Sequence, residues 1–462
     1  MPSTLVLFIT AILCLEAPPT VRGVPEPNFE KPVDYAAWAR TVIQRDAKDT
    51  DDASGDYDAI IRSIEKPADK NWIKAFGFKG PTTDYELGIS ERIELWSPEK
   101  HAEWEAAHQR TRAAREAFYA AASKPYWALS LTRGHTAAED CEPTLLDIDP
   151  LISQPEMVLA RGAIDAAWRS DDGKLNIEDF MKMVRANLGL ARQLERDPFV
   201  SPGQQTLGLR ALTYYSVLST LRMGVLDPAG RERLRDELAK ADAPLPSFEV
   251  LLAAELAAIN DALQSAANKE SKLPCAPRAK ALAQSARAGK VDAAKIARAA
   301  AKFFDDCSKR SSRPYDPGCA PEIEQMRQEI KKSDSELFRL ISTTAKYHNY
   351  IVRMEAQRRA VRCLTEMHVY RDQNGRWPKA LTDLPSEIVK QFATDPFSGK
   401  PFGYVLAADG AAFTLYSVAQ DGVDNGGKHD PRWSDVKLGN DYVFWSGAAQ
   451  DEKVATQPAP AK

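Results

Sequence analysis

The feature that most constrains the fold is a change of hydrophobic period near Gly375. From about Glu322 to Tyr370 the apolar residues Leu337, Leu340, Ile341, Ala345, Ile351, Met354 and Ala360 recur mostly three or four apart, the spacing of one helix face. RDQNG, Arg371 to Gly375, then supplies a glycine where a helix can stop. Beyond it Phe402, Tyr404 and Leu406 alternate, as do Phe413, Leu415 and Ser417, and AADGA between them has the composition of a hairpin turn. The first period buries a stripe of helix and the second buries one side of a sheet. The expected class is mainly α: an irregular antiparallel helical array, then a long helix packed on a small antiparallel β-sheet.

The array is read upstream. The stretch from Pro98 to Pro125 starts and stops at prolines, and its Trp104, Ala107, Thr111, Ala114 and Phe118 form one stripe. Further helices are expected at about Gln154–Trp168, Asn176–Glu195, Gly203–Met223, Pro228–Lys240, Ser247–Ala267 and Asp292–Asp306. The third, with Leu209, Leu212, Tyr215, Leu218 and Leu221, is thin in charge even on its outer face, so it should be central. Short connections such as DPFVSPG favour antiparallel neighbours, and no fixed-period repeat is visible. A chain of 462 residues divides by size into two or three domains. We expect a Pro-rich linker at 24–32, a helical domain at 33–320, the long helix with its β module at 321–446, and a disordered tail at 447–462.

Charge and cysteines bound the partners and the compartment. The 61 basic and 65 acidic residues leave a net charge of −4, which offers nucleic acid or anionic lipid no electrostatic footprint. The apolar run Leu5–Leu15 is too short to span a bilayer comfortably and suits a secretory signal, with Val21 and Gly23 before the cut. Residues 1–23 therefore read as a signal peptide, and the protein as exported, periplasmic or extracellular. The missing basic n-region keeps an uncleaved membrane anchor as the alternative. Loss of Cys14 leaves Cys141, Cys275, Cys307, Cys319 and Cys363, an odd number for an oxidising compartment. The expected disulfide is Cys307 to Cys319, because CSKRSSRPYDPGC reads as a loop joining two helix ends; the alternative is that all five are reduced.

The ordered motifs of the C-terminal part carry a resemblance. YRDQNGRWPKALTDL, ATDPFSGKPFGYVL, FTLYSVAQDGVDNGG and NDYVFW follow one another, and in this order they resemble the globular part of the major pseudopilin of type II secretion systems. Trp377 stands where that family usually has tyrosine, and Phe397 where it has tryptophan. The resemblance implies a long helix on a small antiparallel sheet, with calcium tying down the loop after the last long strand. Asp421 and Asp441 match family positions, and Asp424 and Asp430 are further oxygen sources between them. The same Asp, Asn and Gly residues would equally serve tight turns. The family's leader and its glutamate-bearing apolar helix have no counterpart after Gly23, so family-type polymerisation is not expected. The whole chain is also similar to exported helical bacterial proteins that end in such a module.

Other candidates are weaker. WRSDDGKLNIEDFMKMV places Asp172, Gly173, Leu175 and Asp179 as in the second half of an EF-hand loop, but Trp168 stands at the first ligand position. A turn followed by a helix start is the better reading, with Asn176 as cap and Glu178 and Asp179 in the first turn. His135, Glu139, Asp140 and Cys141 have the residue types of a thiol nucleophile and its base, yet an exposed loop with a structural cysteine is the better reading. His101 and His108 could share a helix face, and His348, His368 and His429 have no evident partners. The expected function is an exported, non-enzymatic binding or scaffold protein with a protein partner and calcium as its one candidate cofactor. An exported hydrolase and a docking component of a secretion machine are the alternatives.

Overall fold

The computed structural model describes residues 23–35, 37–38, parts of 53–60, 102–125, 175–195, 202–268, 288–289, 292–311, 315–333, 338, 344–428 and 441–446. Helix dominates them, and a three-stranded antiparallel sheet lies at the C-terminal end. In chain order they form α1 (Ala102–Ser123), α2 (Ile177–Glu195), α3 (Pro202–Met223), α4 (Pro228–Ala241), α5 (Phe248–Asn268), α6 (Ala293–Ser311), α7 (Cys319–Ser333) and α8 (Thr344–Asn374). A 3₁₀ turn at Leu381–Asp383, α9 (Ser386–Phe392), β1 (Gly403–Leu406), β2 (Phe413–Ser417) and β3 (Tyr442–Trp445) follow. None of the described helices is long and apolar enough to cross a membrane.

Local chemistry sets the helix starts. Asn176 Oδ1 accepts from the Asp179 amide at 3.1 Å while its Nδ2 donates to Asp179 Oδ2 at 3.0 Å, so the EF-hand-like stretch ends as a capped helix start. Asp227 caps α4 by accepting from the Gly230 amide at 2.7 Å, with Pro228 in the first turn. The central helix is α3, which packs between α2 and α8. Its Leu209, Leu212, Leu218 and Leu221 are buried, and so are Thr213, Ser216 and Thr220. Those hydroxyls survive burial because each donates to the carbonyl four residues back.

The expected single helix from Glu322 to Tyr370 is instead two helices, α7 and α8, packed on each other. On one straight helix Arg327 and Phe338 would lie about 16 Å apart along the axis. The Arg327 guanidinium in fact sits 4.3 Å from the centre of the Phe338 ring, a separation that one straight helix does not allow.

Two apolar cores form among the described residues. The first joins α1 to α4, α8 and the β module through residues such as Phe180, Leu209, Leu364, Trp377, Phe413 and Phe444. The second joins α5, α6 and the start of α7 through Phe248, Leu263, Phe304, Cys307, Cys319 and Ile323. The stretch 24–32, expected as a linker, lies along α5: Val24 and Phe29 pack on the second core. There Asn260 Nδ2 donates to Pro25 O at 3.2 Å, and Gln264 both accepts from Val33 N at 3.1 Å and donates to Val33 O at 2.6 Å.

In the module the strand order is β1-β2-β3, with Leu406 opposite Phe413, Gly403 opposite Tyr416 and Ser417 opposite Tyr442. A register shift between Leu415 and Tyr416 turns β2 so that Leu415 faces Trp445. Gly403 is required by close approach, since a Cβ there would run into the Tyr416 ring.

Candidate functional site

The loop joining β2 to β3 holds three of the four aspartates singled out as calcium ligands; Asp430, like His429, lies outside the described residues. Asp441 is buried, and its carboxylate accepts from the Asn425 amide at 3.1 Å and the Gly427 amide at 2.6 Å. Gly427 has a φ of 81°, which only glycine adopts without strain and which aims that amide at the carboxylate. Asp424 Oδ1 accepts from Tyr416 Oη at 3.0 Å and from the Gly426 amide at 2.9 Å, and Asp421 Oδ1 accepts from the Val423 amide at 3.0 Å.

Burial raises the Asp441 carboxyl, its amide donors lower it, and the charges of Asp424 and Asp421 raise it again. The three carboxylates are thus gathered at one loop, each with an oxygen turned to a backbone amide. Asp421 Oδ2 and Asp424 Oδ2 have no protein donor among the described residues, so they are the oxygens a calcium ion could take. Among the described residues no three His, Cys, Asp or Glu side chains form a group ready to hold a metal. A calcium ion, which wants six to eight oxygens, would therefore need backbone carbonyls and a rearranged loop.

The remaining motif residues of the module are fasteners. Asp395 is buried and accepts from Ser417 Oγ at 3.0 Å, the Val418 amide at 3.1 Å and the Phe397 amide at 3.0 Å, which ties the DPF turn to the end of β2. Burial is the main influence raising its carboxyl, and those donors oppose it. Trp377 Nε1 donates to Ala411 O at 3.1 Å and Tyr404 Oη to Pro378 O at 2.6 Å, closing the turn after α8 over the hairpin. The order and spacing of the motifs follow from these pairings.

Other candidates fare differently. His135, Glu139, Asp140 and Cys141, the stretch Trp168 to Lys174, and His101 lie outside the described residues, as does the side chain of His108. His348 and His368 are buried, and burial is the leading cause that pushes both down to about 4. His368 stands edge-on between Trp377 and Trp445, each 5.0 Å away. His348 lies against Tyr315 and Phe248. Cys307 and Cys319 share the second core as buried thiols, so the expected disulfide is not formed in this structure; Cys363 is a buried thiol as well.

What sequence reasoning missed is a buried charge network. Arg210 on α3, 0% exposed, pairs with both oxygens of Glu195 at 2.6 and 2.7 Å and donates to Tyr214 Oη at 2.9 Å and Ala243 O at 3.1 Å. Asp242, at the end of α4, accepts from Tyr214 Oη at 2.6 Å and from Arg358 of α8 at 2.9 Å. Arg358 and Arg359 share Glu355, and Arg359 donates to Thr394 O at 3.0 Å in the module. Burial opposes the Arg210 charge, but Glu195, Tyr214 and Asp242 outweigh it and hold the guanidinium charged. The network spends its charges on joining α2, α3, α4, α8 and the module. Its signal was in the sequence: Arg210 and Arg222 are the charged residues of a helix otherwise apolar or neutral, and a buried charge must be paired. Arg222 also serves the joint, donating to Phe444 O at 2.8 Å with its guanidinium over Trp445.

Comparison with known proteins returned no match to a family model, to a curated protein or to a solved structure.

Proposed function

We propose that this chain is an exported, non-enzymatic binding or scaffold protein in which a pseudopilin-like module is fastened to a helical body. The observation that carries the reading is the Arg210–Asp242–Arg358–Glu355–Arg359–Thr394 connection, which commits charged side chains to holding module and body in one arrangement. Rigid presentation of a surface is what such a joint supplies, and the fastening roles of Asp395, Trp377 and Tyr404 support the resemblance at the level of fold. Calcium on Asp421, Asp424 and Asp441, with Asp430, is the accompanying proposal. The docking alternative is favoured by Val405 on β1 and Val423 on the aspartate loop, 53% and 55% exposed.

The test is proximity crosslinking of the full chain in its native cell envelope, with N-terminal sequencing of the recovered protein. A start at Val24 and a crosslinked partner lost on Val405→Lys support a docked scaffold; an intracellular full-length protein overturns the export reading. A rise in melting temperature with millimolar calcium, absent in Asp421→Asn, supports the metal proposal.

A further inference from the structure

We propose that Cys307 and Cys319 are a dithiol–disulfide pair whose oxidation tightens the turn that docks on the terminal module. Helix α6 ends at Ser311 and α7 begins at Cys319. Arg310 and Glu322, each three residues past one of the cysteines, form an ion pair that holds the two arms together. Both thiols are buried in one apolar cluster, 0% and 3% exposed, and Cys319 is near enough to add to the effect of burial in raising the Cys307 thiol. Between the arms, Asp316 braces the turn by accepting from the Gly318 amide at 2.9 Å, and its carbonyl accepts from the Cys319 amide at 2.9 Å.

The tip of this turn rests on the module. Tyr315 Oη donates to Gln420 O at 3.2 Å, and the Tyr315 ring stands edge-on to Phe397 at 4.7 Å. Pro317 Cγ lies 3.4 Å from where a Cβ on Gly422 would be. The module's side of the contact contains Ala419 at φ 57°, a left-handed conformation that its surroundings must hold. A covalent link across the base of the turn therefore acts on the segment that begins the aspartate loop.

The chemistry is thiol–disulfide exchange with a small disulfide such as oxidised glutathione. One cysteine thiolate attacks a sulfur of the donor and expels one glutathione thiol, leaving a mixed disulfide. The second cysteine then attacks the protein-bound sulfur and expels the other, so two electrons pass to the donor and the two cysteine protons end on the released thiols. Burial places this step before the second core closes, during folding.

The full chain is refolded in glutathione buffers from reducing to oxidising, its remaining thiols are blocked, and its peptides are mapped; the same map is made on chain taken from cells under thiol block. A linked Cys307–Cys319 peptide should appear as the buffer becomes oxidising, and amides of Gln420–Gly427 should exchange several-fold more slowly in that form. Tyr315→Phe should keep the linked peptide and lose the exchange difference. No linked peptide in either preparation overturns the pair, and a linked peptide with unchanged exchange overturns the coupling. Signal removal enters none of these readouts, so this inference and the export reading can fail separately.

Discussion

The two cores solve burial in different ways. The first runs from α1 through the β module and carries charged residues deep inside it, where Arg210, Glu195, Asp242 and Arg358 pair with one another. The second, around α5, α6 and the start of α7, instead buries Asn260, Asp261 and Gln264 of α5, and Asn260 and Gln264 bond the extended N-terminal segment. A buried ion network stabilises little relative to an apolar core but is strongly geometry-dependent. The first core is therefore specific about where the module sits, whereas the second is a packing unit closed by a strap. The cores also do not divide at residue 320: α8 and the module belong with α1 to α4.

Removing Arg210 should break this contrast hardest. Arg210→Met leaves Glu195 buried without its bidentate partner and takes one cation from Asp242, a loss of about 4 kcal/mol in urea unfolding. Hydrogen exchange should rise in α2 to α4 and stay low in α6. The pair Glu195→Met with Arg210→Met should recover part of the loss, and no recovery would mean that the charges are not what costs stability.

Acid should act next, on both cores. His348 and His368 titrate at about 4 in the folded chain against 6.5 as free groups. Between those values the unfolded chain binds the protons that the folded chain refuses, so stability is complete above pH 6.5 and falls as pH drops toward 4. The slope is about 1.4 kcal/mol per pH unit for each histidine, and the total about 3 kcal/mol each. Arg231, Arg371 and Asp372 are the charges that act on His368, so His368→Gln should remove the part of the slope felt by the first core. A flat profile from pH 6.5 to 4.5 breaks the assignment.

These expectations also show where the sequence was legible. Helices α2 to α6 fall within a few residues of their expected bounds because each has apolar period, cap and stop residues in its own sequence, as Asn176 and Asp227 do. Strands β1 and β2 were readable from alternation, and Ser417 ends β2 as expected. The division into α7 and α8 was not, because Ser333 to Thr344 contains no proline or glycine and keeps a helical apolar period. Arg210 stood out as a charge on an otherwise neutral helix, but its partners on α2, α4 and α8 were hidden for a different reason, because residues that far apart in the chain leave no local pattern. Asp421, Asp424 and Asp441 fall in one loop, but turn-making and metal-binding use the same residue types.

Within the module, Asp395→Asn should cost about 2 kcal/mol, since a buried charged acceptor of three donors becomes a neutral one. Its effect should centre on the end of β2 and the DPF turn, seen as faster exchange at Phe397 and Val418. If exchange rises evenly through α3 instead, the module is not held by its own fasteners.

The smallest effect should come from the strap. Gln264→Leu removes the amide that both donates to and accepts from Val33, two part-buried bonds, while keeping the apolar stem against the second core. The expected loss is about 1 kcal/mol, with protection lost at Val33 and Tyr35 and little change at Arg210. Such a result makes 23–35 a separable closure of the second core. Global destabilisation on the scale of Arg210→Met would instead mean that the two cores fold as one unit, and the contrast between them would collapse.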